Sequence, residues 1–137
     1  MNKIIPSDRE HFLNLYRLYD IARKKWESIP SSEKLESVVE TYIRNENAII
    51  HKHGFVTFNN KGQVGQLENL FVETKNRGEG LGTKLILSAE LELLNRGCLS
   101  AFLFNSLSNS QINQLYSKLG YDLVETGREV YKFTKKL

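Results

Sequence analysis

Near the start of the chain, Phe12, Leu15, Tyr16, Tyr19, Ala22 and Trp26 recur at three- and four-residue intervals and predict an amphipathic helix. Ser7 and Glu10, just past Pro6, make a capping-box pattern that marks its start, and residues 1–5 before it are a short strand candidate. Leu35, Val38, Val39, Tyr42 and Ile43 give a second helix one apolar face; it opens near Ser32, after Pro30, and stops at Asn45-Glu46-Asn47. Ala48-Ile49-Ile50 and Phe55-Val56-Thr57-Phe58 read as strands around His51-Lys52-His53-Gly54, and Asn59-Asn60-Lys61-Gly62 reads as a hairpin turn by composition. A long strand covers residues 65–72. A helix follows from about Gly80 to Arg96, with Gly97 just beyond its end. Residues 99–105 predict a strand, 106–108 a loop, and 109–119 a helix ended by Gly120. Residues 121–126 and 129–134 pair across Gly127-Arg128, and Lys135-Lys136 is a solvated tail.

The resulting order is β-α-α-β-β-β-α-β-α-β-β, an α/β arrangement read as one domain over residues 1–137. The strands at 65–72 and 99–105 flank a helix, so they should run parallel with a right-handed crossover. The remaining strands should form an antiparallel meander.

Composition narrows the function classes. A chain of 137 residues, 40% apolar and 26% charged, fits a water-soluble domain with a real core. The net charge of +3, from 19 basic and 16 acidic residues, is too mild for a nucleic-acid binder, although it helps to hold a polyanionic ligand. A single cysteine, Cys98, excludes an internal disulfide and fits a reducing, cytoplasmic compartment. It opens an apolar strand after Gly97, which suits a buried, inert thiol. No apolar run exceeds the four residues 101–104, so neither a membrane-spanning helix nor a signal peptide is expected.

Chemistry concentrates in Arg77-Gly78-Glu79-Gly80-Leu81-Gly82-Thr83, between the long strand and the helix after it. A strand, a glycine-rich turn and a helix in that order make a phosphate cradle. Glycines let the backbone approach the ligand, and the free N–H groups of the first helical turn face the anion. A Walker loop is excluded, because Gly82-Thr83-Lys84 has its order reversed and Gly78 lies too close. A dinucleotide fingerprint is excluded by the Gly-x-Gly-x-Gly spacing and by Phe102 where an acid belongs. What remains is Arg-x-x-Gly-x-Gly over Arg77, Gly80 and Gly82. By itself it also fits an ordinary strand-to-helix turn packed tightly at Gly82.

A second motif lies downstream, where Asn109, Leu115, Tyr116, Lys118 and Gly120 fall on one late helix and its end, with Tyr121 following. Together the two motifs resemble the GCN5-related N-acetyltransferases (GNAT), whose acetyl-CoA pyrophosphate loop is Arg-x-x-Gly-x-Gly and whose late helix reads Leu-Tyr-x-Lys-x-Gly-Phe. The resemblance is good over residues 65–134; before that it rests on element order. It implies a mixed, mostly antiparallel sheet of six to seven strands flanked by about four helices. The parallel pair in that sheet splays, and the pantetheine arm of the cosubstrate acetyl-CoA lies in the gap. It also implies direct attack by a primary amine of a small molecule or a protein in a ternary complex. Contacts to the cosubstrate would come from Leu70, Phe71 and Val72, from Arg77, Gly78, Glu79, Gly80, Leu81, Gly82 and Thr83, and from Asn105, Asn109 and Tyr116. A homodimer is a family-level expectation.

Acetyl transfer needs an amine stripped of its proton, N–H donors for the oxyanion, and a proton for the departing thiolate. The resemblance places the donors on the backbone of residues 70–72 and the thiolate acid at Tyr116. Tyr116 also falls on the stripe Ile112, Leu115, Tyr116, Leu119, which suits a core face; the surrounding motif favours the acid. Glu68 is the best side-chain base, acting through water, and it equally fits an exposed strand carboxylate. Some relatives carry a glutamate twelve residues before the tyrosine, where this chain has Phe104. His51 and His53 could share a strand face, but a metal pair needs further ligands, so they read as turn or surface residues and no metal is expected. Asn105 and Asn109 could bond pantetheine amides or serve as cap and turn residues. Glu73 and Glu79 should face solvent, leaving Arg77 and Lys84 to supply positive charge. Acceptor specificity would come from residues 23–37 and the loop after residue 105. A non-catalytic acyl-CoA-binding module on the same fold is the competing reading.

Overall fold

The computed structural model describes residues 1–23, 32–106, 110–127 and 130–137, with Ser32, Glu125 and Thr126 described through their backbones alone. Among the described residues, seven strands make one sheet: β1 (Asn2–Lys3), β2 (Ala48–His51), β3 (Gly54–Lys61), β4 (Val64–Val72), β5 (Ser100–Ser106), β6 (Asp122–Thr126) and β7 (Val130–Lys136). Four helices flank it: α1 (Arg9–Arg23), α2 (Ser32–Arg44), α3 (Leu81–Asn95) and α4 (Ser110–Lys118). The strand order is β1-β2-β3-β4-β5-β7-β6. Every neighbouring pair is antiparallel except β4 and β5, which run parallel as expected for strands joined through a helix.

Two apolar layers hold the helices to the sheet. On one face α1 and α2 bury Phe12, Leu15, Tyr16, Leu35 and Val39 against Ile50, Phe55 and Phe71. On the other, α3 and α4 bury Leu85, Ile86, Leu93 and Tyr116 against Val56, Leu67, Leu103 and Phe133. Alternation along β3 and β4 sends successive side chains to opposite layers. Cys98 belongs to the second layer, and burial raises its thiol above the ordinary range. Where β3 meets β4 the backbones come very close: a Cβ on Gly54 would lie 2.4 Å from the carbonyl oxygen of Phe71.

The boundaries depart from expectation in three places; in one, Lys135 and Lys136 are not a solvated tail but extend β7, paired with Ala101 and Ser100, and Lys135 Nζ donates to Glu90 Oε1 at 2.9 Å. Ser7 does not cap α1. A one-turn 3-10 segment, Pro6–Asp8, precedes the helix, and the Asp8 carboxylate reaches back to the Ile5 N–H at 3.0 Å. Glu10 instead pairs with Arg9 at 3.0 Å. The hairpin turn also falls later than composition suggests. Asn59, Asn60 and Lys61 continue β3, Lys61 pairs with Val64, and Gly62 turns the chain at φ +55. Trp26 and Pro30 lie outside the described residues. No helix among the described residues is long and apolar enough to cross a membrane.

Candidate active site

The parallel pair does not stay paired. β4 and β5 are joined at Val64↔Ser100, Gly65↔Ala101 and Gln66↔Phe102, and beyond that they part. β4 carries an irregularity at the same level. Thr57 pairs with Asn69 and Phe58 with Leu67, so Glu68 is an extra residue in β4, a bulge of the kind that bends a strand and re-aims side chains. Past the bulge the backbone of β4 has a partner on one side only. The Glu73 N–H donates to His53 O at 2.9 Å on the β3 side. Strand alternation therefore turns the N–H groups of Leu70 and Val72 the other way, into the gap.

The gap is the floor of a groove of about 1210 Å³, lined from end to end by α1, β4, the glycine turn, α3, β5, α4 and the start of β7. At one end are Asn76, Arg77, Gly78, Gly80, Gly82 and Thr83. Gly80 is the N-cap of α3 at φ +82, a left-handed conformation that glycine adopts freely, so the first N–H groups of α3 open toward the groove. Gly82 sits in the first turn, and a Cβ there would meet Leu115 of α4 at 3.4 Å. Arg77 anchors the turn: its Nε donates to the Val72 carbonyl at 3.0 Å, leaving the rest of the exposed guanidinium free to meet an anion. Leu81 is buried in the α3 layer, and Glu79 is exposed, as expected. Glu73 is half-buried and paired, its Oε2 lying 2.7 Å from His53 Nδ1.

The middle of the groove receives Leu67, Leu70, Phe71 and Val72 from β4, Tyr116 from α4, and Phe104 and Asn105 from β5. The Tyr116 ring is packed edge-on to Tyr121 and beside Phe133, and the residue is only 6% exposed. The Tyr116 ring thus belongs to the core, and the residue also lines the groove. Burial, with Tyr19 nearby, raises the hydroxyl far above the ordinary tyrosine range, so it keeps its proton. Asn105 Nδ2 donates to Asn113 Oδ1 at 2.8 Å, and Asn113 Nδ2 donates to the Ser106 carbonyl at 3.3 Å. That clasp ties the end of β5 to α4. Asn109 lies outside the described residues.

At the other end, Tyr19, Ala22 and Arg23 from the last turns of α1 face Glu68 and Asn69 on the bulge. Glu68 is half-buried rather than solvated. Its Oε2 accepts from the Tyr42 hydroxyl at 2.6 Å, and Oε1 accepts from Asn59 Nδ2. Tyr42, Asn59, Asn69 and Thr57 form a polar cluster behind the groove that the sequence reading did not single out. Thr57 was visible as a polar residue within an apolar strand. Arg23 lies over the Tyr19 ring, 5.3 Å from its centroid, and pairs with the buried Asp20 at 2.8 Å.

No group of three or more ligating side chains that could hold a metal occurs among the described residues. His51 Nδ1 accepts from the His53 N–H at 3.0 Å, which makes both of them parts of the turn between β2 and β3.

Comparison with known proteins agrees with this fold. The family model described as the acetyltransferase (GNAT) domain matches residues 38–123, which include β2 through α4. Among curated proteins none matches this chain in sequence. The fold is similar to that of the PaiA N-acetyltransferase of Thermoplasma acidophilum in complex with coenzyme A. That likeness has a TM-score of 0.73 at 19% identity, and covers 99% of this chain and 97% of that one. A GNAT-family acetyltransferase from Listeria monocytogenes aligns with a TM-score of 0.74 at 16% identity over 99% of this chain and 93% of that one. The NatC complex bound to Gag peptide and CoA contains a chain that aligns with a TM-score of 0.70 at 17% identity, covering 91% of this chain and 90% of that one.

Proposed function

Because the chain belongs to the GNAT acetyltransferase family, we propose that it moves the acetyl group of acetyl-CoA onto a primary amine by direct attack in a ternary complex. The observation that carries this reading is the groove itself. Its one continuous wall joins a glycine turn at a helix N-terminus, two backbone N–H groups without a strand partner, a protonated tyrosine and a carboxylate.

Each group has a part. The first turn of α3, with Gly80, Gly82 and Thr83, receives the pyrophosphate, and Arg77 adds charge. The pantetheine arm lies along β4, where Leu70 and Val72 offer N–H donors as a neighbouring strand would. The amine lone pair attacks the thioester carbonyl carbon. The amine proton passes to Glu68, directly or through water, and the oxyanion is met by the backbone donors of β4. Collapse of the intermediate breaks the C–S bond, and Tyr116 offers its O–H to the departing sulfur. A thiol has a pKa of about 8.5. Full proton loss from a tyrosine raised by burial is uphill against that, so the hydroxyl serves mainly as a hydrogen-bond donor to the developing thiolate. The amine is a small molecule or a protein group.

Titration with acetyl-CoA, followed by thiol release with a panel of primary amines, tests the reading. Saturation to about 100 times Kd adds about 2.7 kcal/mol. For a domain of this size that raises Tm by roughly 5–15 °C. No shift at millimolar acetyl-CoA refutes the cosubstrate. A shift without thiol release on any amine favours a non-catalytic acyl-CoA-binding module. Glu68→Gln should slow transfer most at low pH, where the amine is hardest to deprotonate.

A further inference from the structure

On the face of the sheet that carries α1 and α2, the apolar layer takes strand residues only from β2, β3 and β4. Neither β5 nor β7 contributes to it. Ala101 and Leu103 of β5 point the other way, into the layer under α3 and α4. Alternation therefore brings Phe102 and Phe104 onto the α1 and α2 face. Phe104 is 51% exposed, and it lines the groove together with Val130, which is 41% exposed. The Phe102 and Phe104 rings meet edge to face, with centroids 5.7 Å apart and planes at 82°. Lys132 Nζ lies over both, 5.2 Å from the Phe102 centroid and 5.9 Å from that of Phe104. The patch is short: Thr134 beside Phe102 and Ser100 beyond it are polar.

Its place relative to the chemistry follows from the strands. Gln66 and Phe102 are the last paired residues of β4 and β5. Glu68 and Phe104 each come two residues later in their own strand. Tyr42 of α2 donates to Glu68, so the carboxylate is on the same face as Phe104. The two side chains thus belong to opposite banks of the gap at one level, with backbones about 10 Å apart where it admits one extended chain. Glu68 is also the only carboxylate that lines the groove among the described residues. That makes one seat for an ammonium group. Lys132 holds a positive charge over the aromatic wall, where a second cationic group would be repelled.

We propose that the acceptor is a small monoamine with an aromatic or branched apolar body, its nitrogen at Glu68 and its body against Phe104 and Val130, with Phe102 behind. The proposal rests on the acetyltransferase reading and deepens it. An exposed apolar patch with a polar rim, continuous with a groove, marks a binding surface, and covering it with a ring supplies affinity. A polyamine brings its second charge toward Lys132. An extended peptide runs off the two rings onto Thr134 and Ser100. Phe104 is the specificity-determining contact.

The test measures kcat/KM for phenethylamine, isopentylamine, ethylamine, butanediamine and a short peptide with phenylalanine at its free N-terminus. It compares the wild type, Phe104→Ala and Phe104→Leu, with melting curves and acetyl-CoA binding alongside. The wild type should favour phenethylamine and isopentylamine over ethylamine and butanediamine by about 10–100-fold, the worth of one apolar group taken out of water. Phe104→Ala should lower kcat/KM for phenethylamine about 10-fold, chiefly through KM, and for ethylamine by no more than about 3-fold; Phe104→Leu should restore most of the loss. Because Phe104 is half exposed, melting temperature and acetyl-CoA affinity should hold in both variants. A phenylalanine that only supports the fold would depress every amine alike. Uniform losses, or a wild type that uses ethylamine, butanediamine or the peptide as well as phenethylamine, overturn the apolar wall while leaving the transferase reading standing. Acetyl-CoA binding without turnover of any amine by the wild type overturns that reading, and the wall with it.

Discussion

The proposed mechanism asks two things of Tyr116, and they separate cleanly under substitution. Its ring is wedged among Tyr121 and Phe133, while its edge lines the groove. Tyr116→Phe keeps the ring, so the melting temperature should hold within a few degrees. Turnover should fall about 10–100-fold, the worth of one hydrogen bond to a charged leaving group. Steady-state kinetics with calorimetric acetyl-CoA binding decides this; full turnover would make the residue purely structural. Tyr116 could be picked out in the sequence because it belongs to a short local motif. The cluster around Glu68 could not. Tyr42 lies 26 positions from Glu68 in the chain, and Tyr19 lies 50 from Asn69, and neither pair has a spacing that marks it. The pairing of Glu73 was out of reach for the same reason: its partner His53 is 20 residues away.

At the scale of elements, the turn from β4 into α3 is the part of which the proposed function asks most. Gly80 sits at φ +82 with open space where a Cβ would be, so a side chain there is opposed by backbone conformation rather than by crowding. Gly80→Val should cost about 1–2 kcal/mol in strain and weaken acetyl-CoA binding sharply, because it displaces the N–H groups of the first turn. Gly82→Val keeps its backbone conformation but pushes into the groove and against Leu115. Isothermal titration of both folded variants checks this, and unchanged affinity in both would reduce the turn to a packing device. The helices and strands themselves were legible from apolar periodicity. Their ends were less so. Asn59 and Asn60 have turn chemistry, yet pairing with β4 holds them in a strand, and only Gly62 bends the chain. The bulge at Glu68 had no warning at all, since no glycine marks it.

Over the whole molecule, buried tyrosines tie stability to alkaline pH. Burial lifts Tyr16 from 10.0 to about 12, and it lifts Tyr42, Tyr116 and Tyr121 further. A folded-state pKa above the unfolded one means that the folded form holds the proton more tightly. The associated stability is complete below pH 10 and drains away as pH rises through the folded values. For Tyr16 alone the loss reaches about 2 kcal/mol by pH 12. Denaturant unfolding followed by far-ultraviolet circular dichroism between pH 8 and 12 should therefore show a midpoint that is flat to about pH 10 and then falls steeply; a flat profile to pH 12 would contradict it. The splayed sheet has a quieter consequence. Where β4 and β5 part, the molecule contains a sheet edge in its own interior, and an edge is a place where amide hydrogens trade with water. In the ligand-free protein, the amides of Leu70 and Val72 should exchange with deuterium far faster than those of Phe71 and Glu73, which face β3. Acetyl-CoA should slow that pair selectively, as though an eighth strand had been added.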